Sequence, residues 1–136
     1  MTPRALVDSN FIIRHLVQDD PVHAGKASSL FEASDRGTIR LVLLQTVLSE
    51  CVFVLESFYK RPRTKIAGVL AELISSPGIE LDDREIMLIA LEHYGRTKIH
   101  FVDCTLAAYA ARRNWPVASF DTDFKRFNDV RIIRGE

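Results

Sequence analysis

Five carboxylates stand where side chains could do chemistry. Asp8 interrupts the apolar stretch ALVDSNFII, Asp103 follows the run IHFV, and Asp121 follows VASF with Asp123 close behind. Each of these junctions is where a strand-like run gives way to a helical one. At such a place Asp is also a favoured helix cap, whose loss costs about 1 kcal/mol. The repetition carries a second meaning. In open α/β sheets, ligands bind outside the carboxyl ends of the strands, so neighbouring junctions that all end in Asp would aim their carboxylates at one edge. Glu50 differs because it is no cap. It shares a helix face with Val47, Phe53, Val54 and Phe58. A glutamate on an apolar stripe is paired, protonated or bound to a cation, since an isolated buried charge is costly; otherwise it sits at the stripe's edge with its head in water.

If Asp8, Glu50, Asp103 and Asp121 converge, repulsion decides what else is needed. Two like charges about 4 Å apart repel by roughly 4 kcal/mol at an effective dielectric near 20. A hard divalent cation removes that cost, and all-oxygen ligation suits Mg²⁺ or Mn²⁺, as one ion or two. A carboxylate-held Mg²⁺ keeps waters and completes its shell with substrate phosphate, which is the chemistry of phosphodiester cleavage.

The elements that must position these groups are legible from periodicity. Strands are expected at Arg4–Val7, Ile39–Leu44, Ile79–Leu81, Pro116–Phe120 and Arg131–Ile133. Helices are expected at Asn10–Leu16, from Asp20–Pro21 to Ser34, and at Thr46–Tyr59, Thr64–Ser75, Asp82–Tyr94, Cys104–Arg113 and Asp121–Phe127. Asp20 followed by Pro21 is a cap and a proline at the first helical position. Glu85 is placed for a capping box. Ile66, Val69, Leu70, Leu73 and Ile74 follow the amphipathic helical pattern. Alternating strands and helices imply the α/β class: one domain over residues 1–136, with a central parallel sheet covered by helices on both faces.

Composition narrows the rest. The chain has 136 residues, 47% of them hydrophobic, and its 18 basic and 18 acidic residues balance to zero. An indiscriminate phosphate-backbone binder would be basic. No run approaches the roughly 18–20 apolar residues of a bilayer span, and no secretory leader pattern opens the chain, so a soluble, cytoplasmic protein is expected. Cys51 and Cys104 lack metal-ligand spacing and read as buried packing groups. The histidines share no motif and are expected at the surface or the core's edge, and most of the phenylalanines in the core. Local basic clusters at Lys60, Arg61, Arg63 and Lys65 and at Arg112–Arg113 are candidate RNA contacts, although any one alone is more often a solvated helix face.

The ordered set VDSN, SECVFVL, HFVDCTLAAYA and SFDTDF resembles the PIN-domain ribonucleases, and most of all the VapC-type toxins of VapBC toxin–antitoxin pairs. The resemblance runs from Leu6 to Ile133. It implies a metal-dependent endoribonuclease in which Asp8, Glu50, Asp103 and Asp121 hold Mg²⁺ or Mn²⁺, with Asp8 and Asp103 closest. It also implies that Asn10 and Ser119 support the carboxylates, with Ser9 and Ser119 at positions often held by Thr. Either Asp121 or Asp123 serves as the fourth acid, the spacing from Ser119 favouring Asp121. An RNA substrate, a homodimer and a small VapB-like antitoxin in the active-site groove are further implications. The rival within the family is a PIN-like scaffold that binds RNA or protein without cutting. A receiver domain would pair acids at the first strand end, and a haloacid-dehalogenase-type phosphatase would place its DxD there, so neither fits.

Overall fold

The computed structural model describes residues 1–135. All strand pairing is parallel, which obliges each pair to be joined by a crossover. β1 (Arg4–Leu6) pairs with β2 (Arg40–Val42) in the register Arg4↔Arg40, Ala5↔Leu41, Leu6↔Val42. β2 pairs in turn with β3 (Ile79–Glu80). β4 (Val117–Ala118) and β5 (Ile132–Ile133) form a separate parallel pair. The strands are shorter than expected, although single ladder bonds continue past their ends: Leu43 N donates to the Glu80 carbonyl at 2.8 Å and Val7 N to the Val42 carbonyl at 3.1 Å.

The crossovers are helical. α1 (Ser9–Val17) and α2 (Pro21–Asp35) join β1 to β2, and α3 (Gln45–Ser57) and α4 (Arg63–Ile74) join β2 to β3. α5 (Arg84–Arg96) and α6 (Phe101–Arg113) lead to β4, and a 3₁₀ turn over Thr122–Arg126 precedes β5. The result is the α/β class expected. Leu41 and Ile79 from the strands meet Leu48, Ile66, Leu70, Ile74, Ile86 and Leu91 from the helices in a core that excludes water.

Local chemistry explains the boundaries. Asp20 accepts a hydrogen bond from His23 N at 3.3 Å, and Pro21 opens α2, as its sequence implied. Asn114, at φ 56°, stops α6 in the left-handed conformation that ends many helices. Two expectations shift. The cap of α5 is Asp83, which accepts from Ile86 N at 3.0 Å. Glu85 therefore makes no capping box and instead pairs with Arg112 at 2.6 Å. The run Ile99–Val102 is not a separate strand-like lead. α6 begins at Phe101, because Phe101, Cys104, Thr105 and Ala108 make one buried helical face.

Candidate metal centre

Asp103 is placed by the start of α6. His100 occupies the N-cap and Asp103 lies in the first turn, where a carboxylate is favoured by the helix dipole. The preceding turn is held by an arginine. Arg63 donates through Nη2 to the Ile99 carbonyl and through Nε to the Tyr94 carbonyl at 3.0 Å. Its guanidinium carbon lies 3.8 Å from the Tyr94 ring centroid, and Nη1 reaches Glu56 at 3.4 Å. The Tyr94 hydroxyl donates to the same Glu56 carboxylate. Burial, then the Glu56 carboxylate, push the Tyr94 phenol above its usual range. Phe101 packs edge-on against Tyr94 with ring centroids 5.9 Å apart.

Asp121 is placed by a different device. Ser119 Oγ accepts a hydrogen bond from Asp121 N at 2.9 Å, and Asp121 Oδ1 accepts from Asp123 N at 2.8 Å. Arg134 donates to the Ser119 carbonyl at 3.2 Å. This turn folds Asp121 and Asp123 back toward α6. Carboxylate oxygens of Asp103, Asp121 and Asp123 all lie within 4.8 Å of one another. Asp103 and Asp123 are half-buried and Asp121 is exposed. Burial first, and then the negative charge of Asp121, raise the Asp103 carboxyl above its ordinary range; Asp123 adds to the rise and His100 opposes it. Like charge at this separation raises the cost of ionising all three, and their all-oxygen chemistry fits a hard cation such as Mg²⁺ or Mn²⁺.

Asp8 and Glu50 stand outside that trio and share another neighbourhood. Asp8 does cap its helix, with Oδ1 accepting from Phe11 N at 2.8 Å. Cys51 Sγ lies 4.0 Å from the Ser9 carbonyl, which seats α3 against the opening of α1. Burial, followed by the charges of Glu50 and Asp8, pushes the Cys51 thiol up to about 12. The apolar face expected around Glu50 is not the core face. Leu48, Cys51, Val52 and Leu55 turn inward, while Glu50, Phe53 and Phe58 are exposed. α3 is apolar on two sides, so the sequence pattern alone did not say which side would be covered. Asn10 is exposed in the first turn of α1 and bonds to none of the carboxylates among the described residues.

The candidate RNA contacts divide. Lys60, Arg61 and Lys65 are exposed and take no ion-pair partner among the described residues. Arg63 is committed to the fold by the bonds given above, and its guanidinium is not free for a phosphate. Arg112 pairs with Glu85, and Arg113 pairs with Asp83 at 3.0 Å. Phe101, Phe124 and Phe127 are core residues, but Phe53, Phe58 and Phe120 are not. Both cysteines are buried and free. His15 stacks on Phe31 and His93 packs on Phe127, at the core's edge as expected. The Arg63 network went unseen in the sequence because its partners are mostly backbone carbonyls, which leave no residue-type signature. Among the described residues no helix is long and apolar enough to cross a membrane.

A comparison with curated proteins returned no match. A family model did match, that of the PIN domain, over residues 5–130. The span takes in all five acids, the Ser119 turn and every helix described above. Members of that family are generally nucleases, an activity that the acidic trio at the edge of α6 suits. With nearly its whole length matched, the chain belongs to the PIN domain family.

Proposed function

We propose that this protein, read as one PIN-like domain over residues 1–136, is a metal-dependent endoribonuclease. Its site is built by Asp8, Glu50, Asp103 and Asp121, with Asp123 beside them. The observation that carries the proposal is the closeness of the Asp103, Asp121 and Asp123 carboxylates, within 4.8 Å, with Asp103 pushed toward its protonated form. Such a cluster is costly alone and is relieved by Mg²⁺ or Mn²⁺, one ion or two. A bound ion supplies Lewis-acid chemistry for hydrolysis of an RNA phosphodiester.

The chain's own residues orient that chemistry. Asp8 and Asp121 each accept a backbone N–H at Oδ1, which fixes the carboxylate and leaves Oδ2 without a protein partner among the described residues. The Ser119 hydroxyl holds the Asp121 backbone and fixes the direction of its side chain. Arg63 holds the turn from which α6 presents Asp103. Glu50, from α3, and Asp8 both bring negative charge to the Cys51 neighbourhood, and they would supply the remaining carboxylates for a cation. Lys60, Arg61 and Lys65, with Arg112 and Arg113 if their ion pairs open, contact the RNA backbone.

We further propose that the chain is the toxin component of a type II toxin–antitoxin pair, cytoplasmic, homodimeric and held in check by a small VapB-like protein. Phe53 on α3 and Phe58 at its C-terminal cap, with Val102 and Leu106 on α6, are exposed apolar groups that a partner would cover. The test is cleavage of a mixed structured RNA pool with Mg²⁺ or Mn²⁺, by the wild type beside Asp8→Asn and Glu50→Gln. Cleavage lost with EDTA and in both variants is expected. No cleavage, with no cation-induced rise in Tm, would leave a scaffold that binds RNA or protein without cutting.

A further inference from the structure

A hollow of about 150 Å³ opens beside Asp8, between α1 and α2. Asn10, Phe11 and Arg14 wall it from α1, and His23, Lys26 and Ala27 from α2. Each set recurs at the three- and four-residue spacing that puts side chains on one helix face, and the two faces meet along this groove. Phe11 packs toward Phe31, with ring centroids 6.3 Å apart, and Ala27 is buried, so the floor is held by the core. Among the described residues Asp8 is the one acid in the wall.

The wall is rich in donors that the fold does not use. Lys26 is exposed and takes no ion-pair partner among the described residues. Arg14 is anchored through Nη1 to Asp19 at 3.0 Å, which leaves its Nε and Nη2 over. The nearby acids outside the wall are spent. Asp19 also accepts from the Tyr59 hydroxyl at 3.0 Å, and Asp20 Oδ2 holds His23 Nδ1 at 2.6 Å. Size and charge then choose the ligand. The volume falls short of the roughly 300–1,000 Å³ of pockets that enclose a drug-sized molecule, so a small tetrahedral anion fits it better than a nucleoside. A cationic group would meet Lys26 and Arg14, and a neutral one would leave their charge unanswered.

An anion is answered by both cations but meets the Asp8 carboxylate, whose Oδ2 has no protein partner among the described residues. A divalent cation on that oxygen turns the repulsion into a bridge, since Mg²⁺ is held by one or two carboxylates together with substrate phosphate. We infer that the hollow is a phosphate subsite, in which Lys26 and Arg14 hold the RNA phosphodiester nearest Asp8 and do so only when Asp8 carries a cation. The inference deepens the ribonuclease proposal and rests on it for the identity of the ligand. It also separates two sets of basic residues. Arg61 and Lys65 lie against Leu16 and Val17, about 12 Å along α1 from Asp8 at 1.5 Å per residue, and would meet a different phosphate.

The experiment titrates the ¹⁵N-labelled protein with dimethyl phosphate, a minimal phosphodiester, in saturating Mg²⁺ and again in EDTA. Shifts at Asn10, Arg14 and Lys26 are expected in Mg²⁺ and should be lost in EDTA, because the two ligands are coupled. Affinity for a short single-stranded RNA is then measured against salt in Ca²⁺, with a gel showing that the RNA stays intact. Lys26→Gln, an exposed change that leaves the core alone, should weaken binding for every sequence. It should also reduce the salt slope by about 0.7, the share of one phosphate in a single strand. Lys26→Arg should restore both. A slope unchanged by Lys26→Gln, or phosphate shifts of equal size in EDTA, would overturn the inference. RNA cleavage without phosphate shifts at the hollow would overturn it while leaving the ribonuclease standing. Cation-dependent shifts without cleavage of any RNA would keep the subsite and remove the ribonuclease.

Discussion

Two polar clusters flank the opening of α6, and they are built on opposite principles. On one side Arg63, Tyr94 and Glu56 close on one another and on the carbonyls of Tyr94 and Ile99, so that a partly buried cation is fully answered. On the other side Asp103, Asp121 and Asp123 crowd together with like charge and no cationic side chain paired to them among the described residues. A satisfied buried network rigidifies and specifies structure, whereas a partly satisfied one costs stability. The difference teaches a division of labour. The first cluster holds the helix still, and the second is where the proposed cation would supply the missing charge.

Breaking the incomplete cluster should have the largest effect on activity and almost none on the fold. Asp103→Asn is expected to lower kcat/KM for RNA cleavage by about 10²–10³-fold, the scale on which electrostatic groups at a reacting centre act. Without added cation its Tm should be unchanged or higher, because a repulsion is removed. A steady-state assay paired with a thermal melt checks both, and a large fall in Tm would mean that the acid is structural. Breaking the closed cluster should do the reverse. Arg63→Ala takes the guanidinium from two carbonyls and leaves the Glu56 carboxylate with the Tyr94 hydroxyl alone, and should cost about 2–4 kcal/mol in denaturant unfolding. Arg63→Lys keeps the charge but not the fork and should fall between. If Arg63→Ala unfolds no more easily than the wild type while RNA binding collapses, Arg63 is an RNA contact after all.

Titration sharpens the contrast. Asp103 has its carboxyl raised above the ordinary range in the folded protein, chiefly by burial and then by Asp121. The folded state thus holds this proton more tightly than the unfolded state. Its contribution favours folding at low pH and is lost as pH rises from the unfolded value through the raised one. In EDTA, the wild type should lose stability across that window relative to Asp103→Asn. Added Mg²⁺ or Mn²⁺ should restore it above the window and do little below it, by mass action on the folded state alone. Melting curves at several pH values, with and without cation, measure both. An equal cation effect below and above the window would remove Asp103 from the ligand set.

How much of this was legible in the sequence depends on how local the cause is. The Asp20–Pro21 start, the apolar stripe of α4 and the capping role of Asp8 follow from residues within one turn of each other; the start and the cap stand in the structure, and so does the stripe except at Val69, which is exposed while Ile66, Leu70, Leu73 and Ile74 are buried. The turn at Asp121–Asp123 was equally local and placed two acids together. The outward face of α3 was not legible, because Glu50, Phe53 and Phe58 read as a buried stripe and only packing decides which of two apolar faces is covered. Nor was the role of Arg63. In sequence it belongs to a basic run with Lys60, Arg61 and Lys65, and what separates it is a set of carbonyls some thirty residues away. The start of α6 was misread for the same reason: Phe101 and Val102 favour strands, and the burial of Phe101 against Tyr94 overrides that preference.

The smallest effect is expected at Arg112, which belongs to neither cluster. Its pair with Glu85 is short, 2.6 Å, but both side chains are about half exposed or more. Solvent screening and the entropy of two long side chains leave such a pair worth about 0.2–1 kcal/mol. Arg112→Ala should therefore shift unfolding by no more than that, and the shift should vanish in high salt. RNA affinity is the more telling measurement. If Arg112 leaves Glu85 to meet a phosphate, the substitution should weaken binding by a similar factor for every sequence and reduce its salt dependence by close to one counterion. If affinity and salt slope are both unchanged, Arg112 serves only Glu85, and the backbone contacts must be sought at Lys60, Arg61 and Lys65, where no ion pair competes for the charge.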